Sequence, residues 1–398
     1  MITNQTSGLH KSVIHIAGAL VTAVTAALMH GGPACSAQEI CFPEGWTRAL
    51  TDVRPLYRQD TLTICFLGDV MMHTAQIENA RRGPSEFDFD PYFEKIRDKI
   101  EAADIAVANL EFTLAGEPYT GYPEFSAPDT LAAHLALCGI DVFLTANNHI
   151  YDKGAEGTMR TVEVLRRLEE RYGIMFTGLA ESEEARRDNT PLTIRRKGMK
   201  VALVNFTYGT NLGTASHWPK TNYMRETKFL GEAFSRAHEE DADLIIALPH
   251  WGDEYVLRHN EAQEETAEWL AGQGAGLIIG AHPHVVQDFA DVGNVPVAYS
   301  LGNAVSNMSA PDTQLGLMAT ARLVRNGNGD ISLLPLEFTV LWCSRPGGYG
   351  ESYMVIPVAE HLGKRELWKG GWDYDKMTAT YDRVLKATGI KDGPITEE

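Results

Sequence analysis

In the stretch "LIIGAHPHVVQ", residues 277–287, an apolar run meets a pair of histidines. Leu277, Ile278 and Ile279 have the character of a buried strand, and Gly280 ends it. His282 and His284 leave that end with only Pro283 between them. Imidazoles at this spacing on a kinked loop point into one small volume, and neutral imidazole is a common ligand for zinc and similar ions. A proline turn carrying solvated histidines is the other reading of the same residues.

The surrounding chain repeats this arrangement. Apolar strands are predicted at 61–67, 104–110, 141–146, 201–206, 243–248, 277–280 and 296–301. Amphipathic helical patterns fill about 92–102, 129–138, 154–172, 226–240 and 260–272. Such alternation predicts an α/β domain with largely parallel strands. In open α/β sheets, sites form beyond the carboxyl ends of the strands. Here those ends run into Gly68-Asp69, into Asn109 and Glu111, and into Asn147-Asn148-His149 followed by Asp152. The later ones run into His250-Trp251-Gly252 and Glu254, into His282 and His284, and into Gly302-Asn303. Each has a bland explanation as a cap or a turn. Six on one edge point instead to a single site with nitrogen and oxygen donors and no thiolate, which suits Zn, Mn, Fe or Mg.

Composition narrows the function classes. The chain has 398 residues, 44% of them hydrophobic, and a formal net charge of −18. A nucleic-acid partner is excluded, because binding phosphate backbones calls for a basic surface. An anionic substrate is compatible with this balance where a bound cation supplies local positive charge.

The N-terminus reads as a secretory signal peptide. Lys11 precedes an apolar stretch from about Val13 to Met29, small residues follow to Ala37, and the first acidic residue is Glu39. Residues 1–37 are the expected signal peptide, which makes the protein exported, periplasmic or at the cell surface. The competing readings are a retained membrane anchor and lipidation at Cys35. Of the five cysteines, Cys65 lies in an apolar strand and Cys138 in a helix, positions that suit buried free thiols.

Taken in chain order, "FLGDVMM", "VANLEFTLAG", "TANNHIYDKGAEG", "PHWGDEY", "GAHPHVVQ" and "YSLGNAV" form a specific set. They resemble the motifs of the calcineurin-like metallophosphoesterase superfamily. More closely, they resemble the CapA family, also called the bacterial capsule synthesis or poly-γ-glutamate synthesis protein family. The resemblance spans about residues 61–305 and implies an α/β/β/α sandwich. The expected organisation is a lead-in at 38–60, a metallophosphoesterase-like domain at 61–345, and a C-terminal extension at 346–398 that packs on it.

The resemblance also implies roles. Asp69 corresponds to the first metal-binding aspartate, Glu111 to the bridging carboxylate, Asn148 to the asparagine ligand and His250 to the lone histidine ligand. His282 and His284 would complete one or two divalent metal positions. His149 would stabilise charge on the reacting group. Asp152 is read as a partner of a site histidine or a helix cap. Glu254, at helical distance from His250, is read as its orienting group, a proton shuttle or surface charge. Asn109 and Asn303 are the candidate substrate contacts, and Trp251 is expected to pack. His73, His134, His217, His238, His259 and His361 are read as ordinary.

One departure from the superfamily stands out. Its first motif is Asp-x-His, whereas Asp69 is followed by Val70 and Met71. The nearest histidine is His73, so this metal position lacks its usual nitrogen unless His73 folds back. Glu111 in place of aspartate also lengthens the bridging arm by one carbon.

The implied function is synthesis, release or remodelling of an anionic cell-surface polymer of the poly-γ-glutamate type by a metal-dependent hydrolase. Its substrate would be that polymer or a small ester or amide, and capsule-synthesis membrane proteins are the implied partners. The alternatives are a non-catalytic scaffold or export partner, and a metal-free acid–base enzyme acting on a peptide-like substrate.

Overall fold

The computed structural model describes residues 61–213 and 217–394. The expected signal peptide, the lead-in, Cys35 and Cys41 lie outside the described residues. Two sheets carry the fold. The first runs in the order β14-β13-β12-β1-β2-β3-β4. Its members are β1 (Thr61–Val70), β2 (Ile105–Leu110), β3 (Val142–Leu144), β4 (Met175–Thr177), β12 (Leu315–Arg325), β13 (Glu337–Ser344) and β14 (Met354–Pro357). The second runs β9-β10-β8-β7-β6-β5. It comprises β5 (Leu192–Arg196), β6 (Met199–Thr207), β7 (Leu244–His250), β8 (Leu277–Ile279), β9 (Phe289–Val292) and β10 (Val295–Ala298). A short strand, β11 (Asn303–Val305), leaves the second sheet's connections and pairs in parallel with the end of β1.

Strands β1 to β4 are mutually parallel, as are β6, β7, β8 and β10. Their two faces are both buried, which is why each reads as a near-continuous apolar run. Alternate residues divide between two cores. Ile64, Phe66, Ile105 and Val107 face Val201, Leu203, Ile246 and Ile279 in the core between the sheets. Cys65, Leu67, Ala106 and Phe143 face the helices α1 (Thr74–Ala80), α2 (Asp129–Leu137) and α3 (Gly154–Tyr172). On the far side, Val204, Ile245 and Ala247 meet Leu230 and Phe234 of α4 (Thr227–Glu239) and Leu270 of α5 (Glu261–Gly272). The order of layers is therefore helix, sheet, sheet, helix, the sandwich that the family resemblance implies.

Helix ends follow local chemistry. Asn260 Oδ1 accepts from the Gln263 N–H at 2.9 Å and Gln263 Oε1 accepts from the Asn260 N–H at 3.1 Å, a reciprocal cap that starts α5. Gly173 at φ 71° closes α3.

One expected helix is broken. Residues 92–102 form two short helices, Asp90–Phe93 and Arg97–Glu101, joined at Ile96 with φ −122° and ψ −1°. Tyr92, Phe93, Ile96 and Ile100 remain buried, so the apolar spacing survives the break that the periodicity concealed. After the expected strands, β12, β13 and β14 extend the first sheet by antiparallel pairing. Helix α6 (Gly371–Thr388) places Met377 and Val384 in the core between the sheets. Cys65, Cys138 and Cys343 are buried free thiols, and burial pushes the Cys65 thiol up to about 12.

Candidate metal centre

The carboxyl ends of both sheets meet at one buried cluster. Strand β1 delivers Asp69 through Gly68, where a Cβ would lie 2.0 Å from the Gly302 carbonyl oxygen. Only glycine allows that approach of backbone to backbone. Asp69 is fully buried and lies in register with both Asn109 and Asn303. Its Oδ1 accepts from Asn109 Nδ2 at 2.7 Å, and its Oδ2 accepts from the His282 N–H at 3.2 Å. Glu111, just past β2, is fully buried, and neither of its carboxylate oxygens has a hydrogen-bond partner. From the second sheet, β7 ends at His250, which bridges to Ala281 just past β8. His250 Nε2 lies 2.8 Å from Asn148 Oδ1, so two expected ligands from different sheets touch.

The His282–His284 pair is held in unusual backbone. His282 has φ 100° and His284 has φ 59°. Residues with a Cβ populate this half of the map at a cost of about 1–3 kcal/mol each, and such strain gathers at functional sites. The two rings point into one volume, with centroids 5.8 Å apart. His284 Nδ1 lies 3.1 Å from Asn303 Oδ1 and 3.6 Å from Asp69 Oδ2. Its Nε2 lies 3.7 Å from Glu111 Oε1, and His250 Nε2 lies 3.6 Å from the same oxygen. Three overlapping groups result: Glu111, His250 and His282; Asp69, Glu111 and His284; Glu254, His282 and His284. Within each group one donor atom per residue lies within 4.8 Å of the others.

Electrostatics match the geometry. Burial, then the nearby Asp69 and Glu254 carboxylates, raise Glu111 well above the usual carboxylate range. Burial and the neighbouring imidazoles hold His250 and His282 well below the ordinary histidine value, so both rings are neutral. Neutral imidazoles offer lone pairs, and a bound cation would reverse the local preference at Glu111. The unpartnered Glu111 oxygens and the unpartnered, buried Nδ1 of His282 are the test of fit. Buried polar atoms in folded proteins are ordinarily satisfied. This donor set of carboxylate, amide oxygen and imidazole therefore fits a divalent cation.

Beside the cluster stands His149. Its Nδ1 lies 2.7 Å from Asp152 Oδ2, which also accepts the Phe125 N–H at 2.8 Å. Asp152 thus anchors a site histidine and does not serve as a helix cap. Three neighbours of the cluster carry no signal in the sequence. Phe125 sets its ring edge-on to His149 at 4.7 Å. Asn211 places Nδ2 3.4 Å from the His149 ring nitrogens and donates its backbone N–H to the Asn148 carbonyl at 2.8 Å. Tyr208 lies 4.6 Å from the His282 ring. All three belong to loops whose spacing has no periodicity to read.

Two expectations change. The chain after His250 is a turn, with Gly252 at φ 91° and Tyr255 at φ 67°, so Glu254 is not at helical spacing from His250. Its carboxylate instead lies 3.9 Å from His284 Nε2. Asn303 is buried and its side chain is already engaged with His284 and the Thr313 carbonyl, so it positions a ligand and has no free polar edge for substrate. Asn109 holds Asp69 and keeps an unpartnered Oδ1.

Trp251 packs as expected, donating Nε1–H to the Tyr299 carbonyl at 2.9 Å. His73 does not join the ligand groups. Its Nδ1 lies 3.2 Å from Gln76 Oε1 and 3.3 Å from the Asn307 nitrogen, and burial takes it down to about 4. His134, His238, His259 and His361 each have partners away from the cluster.

Comparison with known proteins identifies the family. A family model described as "Bacterial capsule synthesis protein PGA_cap" matches residues 63–308, which include every expected ligand. The chain belongs to this family. It is 26% identical over 306 residues to the capsule biosynthesis protein CapA of Bacillus anthracis, covering 73% of this chain and 72% of that one. It is 24% identical over 294 residues to the PGA biosynthesis protein CapA of Bacillus subtilis (strain 168), covering 71% and 73%. Among solved structures, a 5'-nucleotidase precursor from Thermus thermophilus aligns with 12% identity and a TM-score of 0.42, covering 82% of this chain and 59% of that one.

Proposed function

We propose that this member of the capsule synthesis family is an exported, metal-dependent hydrolase acting on an anionic cell-surface polymer of the poly-γ-glutamate type or on its precursors. The observation that carries the reading is the set of buried, unpartnered donors, Glu111 and His282, placed among Asp69, His250 and His284. Glu111, Asn148, His250 and His282 would hold one cation; Asp69, Glu111 and His284 would hold the other. A divalent cation here would polarise the bond under attack and activate water near neutral pH. Asp152 fixes the tautomer and orientation of His149, as carboxylates do for working histidines. With Nδ1 committed to Asp152, the other ring nitrogen is left to exchange a proton with the leaving group or stabilise charge developing on it. Phe125 packs against the ring in a T-shaped contact at 4.7 Å.

The altered first motif supports a second reading, a non-catalytic scaffold that keeps the shape of the site. Elemental analysis of protein purified without chelator, with assays on phosphoester and γ-glutamyl substrates, separates the two. The hydrolase reading expects bound metal and turnover that chelation abolishes. Metal-free protein under replete conditions would sink it, and turnover that survives chelation would point to acid–base chemistry by the carboxylates and histidines alone.

A further inference from the structure

The metal position of Asp69 and His284 is the one whose Asp-x-His motif is incomplete. Val70 and Met71 are buried in the core, and the His73 ring is engaged elsewhere, so neither the motif nor its nearest histidine supplies the missing donor. One carboxylate reaches His284 from another loop, on the side shared with His282. Glu254 Oε1 lies 3.9 Å from His284 Nε2, against 3.7 Å for the bridging Glu111. Its position is built. The Tyr255 N–H donates to the Pro283 carbonyl at 2.9 Å, which docks the 252–255 turn on the loop between the two ligand histidines. Asn260 Nδ2 donates to Asp253 Oδ2 at 2.7 Å and ties the same turn to the start of α5.

We propose that Glu254 replaces the missing histidine as a ligand and thereby makes the two metal positions chemically different. The inference rests on the metal reading of the same site. The position at His284 then has carboxylates from Asp69 and Glu111 and one imidazole, and Glu254 adds a further carboxylate from the side of His284 that it shares with His282. Its neighbour has two imidazoles, from His250 and His282, with Glu111 and the amide oxygen of Asn148. Oxygen-rich sites favour hard cations such as Mn or Mg, whereas imidazole-rich sites suit Zn or Fe. The expected state is a mixed pair, with the harder ion at the Glu254 position. Because the Glu254 side chain is 40% exposed, that ion is also the more exchangeable of the two.

The test uses the full chain, stripped of metal and dialysed against zinc and manganese together. Metal content is read by elemental analysis, and manganese environment by electron paramagnetic resonance. The unaltered protein is expected to take one equivalent of each. Glu254→Gln should keep the zinc and lose manganese affinity by tenfold or more. Glu254→His should hold two equivalents, both zinc. If Glu254→Gln binds manganese as the unaltered protein does, Glu254 is not a ligand, although the metal reading stands. If the unaltered protein fills both positions with zinc at equal affinity, the positions do not differ as argued. If it binds no metal at all, the underlying reading falls and this inference falls with it.

Discussion

At the scale of single residues, Glu111 carries the sharpest consequence. Its raised carboxyl pKa means that the metal-free fold prefers it protonated. Stability from that proton is present below the ordinary carboxylate value of about 4.3 and is lost as pH rises through the folded value. His250 and His282 act in the opposite sense, since their folded values are depressed. Their contribution is present above about 6.5 and is lost as pH falls below it. Glu111→Gln, which cannot ionise, should therefore stabilise the metal-free protein at pH 8, by about 1.4 kcal/mol for each unit by which the fold raises the carboxyl. At pH 5 the gain should be smaller, and the rise in melting temperature on adding metal should disappear. Calorimetry in chelator at both pH values checks this, and an equal or larger gain at pH 5 would contradict it. His149→Ala makes a different prediction. Its ring stands beside the ligand groups, so metal content should stay unchanged while hydrolysis falls by about 10²–10⁴-fold, the usual contribution of a general acid or base. Loss of metal in that variant would make His149 a ligand. The expected ligands were legible in the sequence because each follows an apolar strand. Asn211 and Phe125 were not, because their partners are 62 residues away and in a separate loop, respectively.

At the scale of elements, the site depends on how closely strands and loops approach. Gly280 ends β8 where a Cβ would lie 2.1 Å from the Tyr299 carbonyl oxygen and 2.4 Å from Trp251 Nε1. Gly280→Ala should push β8 away from the connection after β10 and displace the strained His282-Pro283-His284 loop. A loss of about 1–3 kcal/mol in stability is expected from overpacking. Metal affinity should fall as well, although no ligand has changed. Denaturant unfolding in chelator together with a zinc titration measures both; unchanged affinity would show that the loop tolerates the shift. Sequence reading works at this scale where a strand is buried on both faces, as β1, β2, β7 and β8 are. It works less well where periodicity continues through a change of backbone, as in the two short helices around Ile96. The turn at Gly252–Tyr255 was also concealed, because four-residue spacing resembles helix even when positive φ angles bend the chain.

At the scale of the whole molecule, the two sheets pack across a core of Ile, Val and Leu, but their ligands join only at the carboxyl edge. Apolar packing is non-directional, and at that edge polar contacts already join the sheets: His282 N–H to Asp69 Oδ2, Asn148 with His250, and Asn205 Oδ1 accepting from the Thr145 and Ala146 N–H groups. A cation shared by Glu111 from the first sheet and His250 and His282 from the second would fasten the sheets at this edge. Any ligand that binds the folded state alone stabilises it, by about 2.7 kcal/mol at a hundredfold excess over its dissociation constant. That stabilisation should have a place in the fold. Amide hydrogen exchange should slow on metal addition in the loop after β3, at residues 147–152, and in the loops after β7 and β8, at 250–256 and 280–286, together. The outer ends of β12 and β13, at the opposite side of the site register, should change only through global stability. His250→Ala should remove the slowing in the first sheet's loop as well as in its own, because one ion serves both. Protection gained by only one sheet's loops would show that the metal is held within a sheet and does not bridge the two.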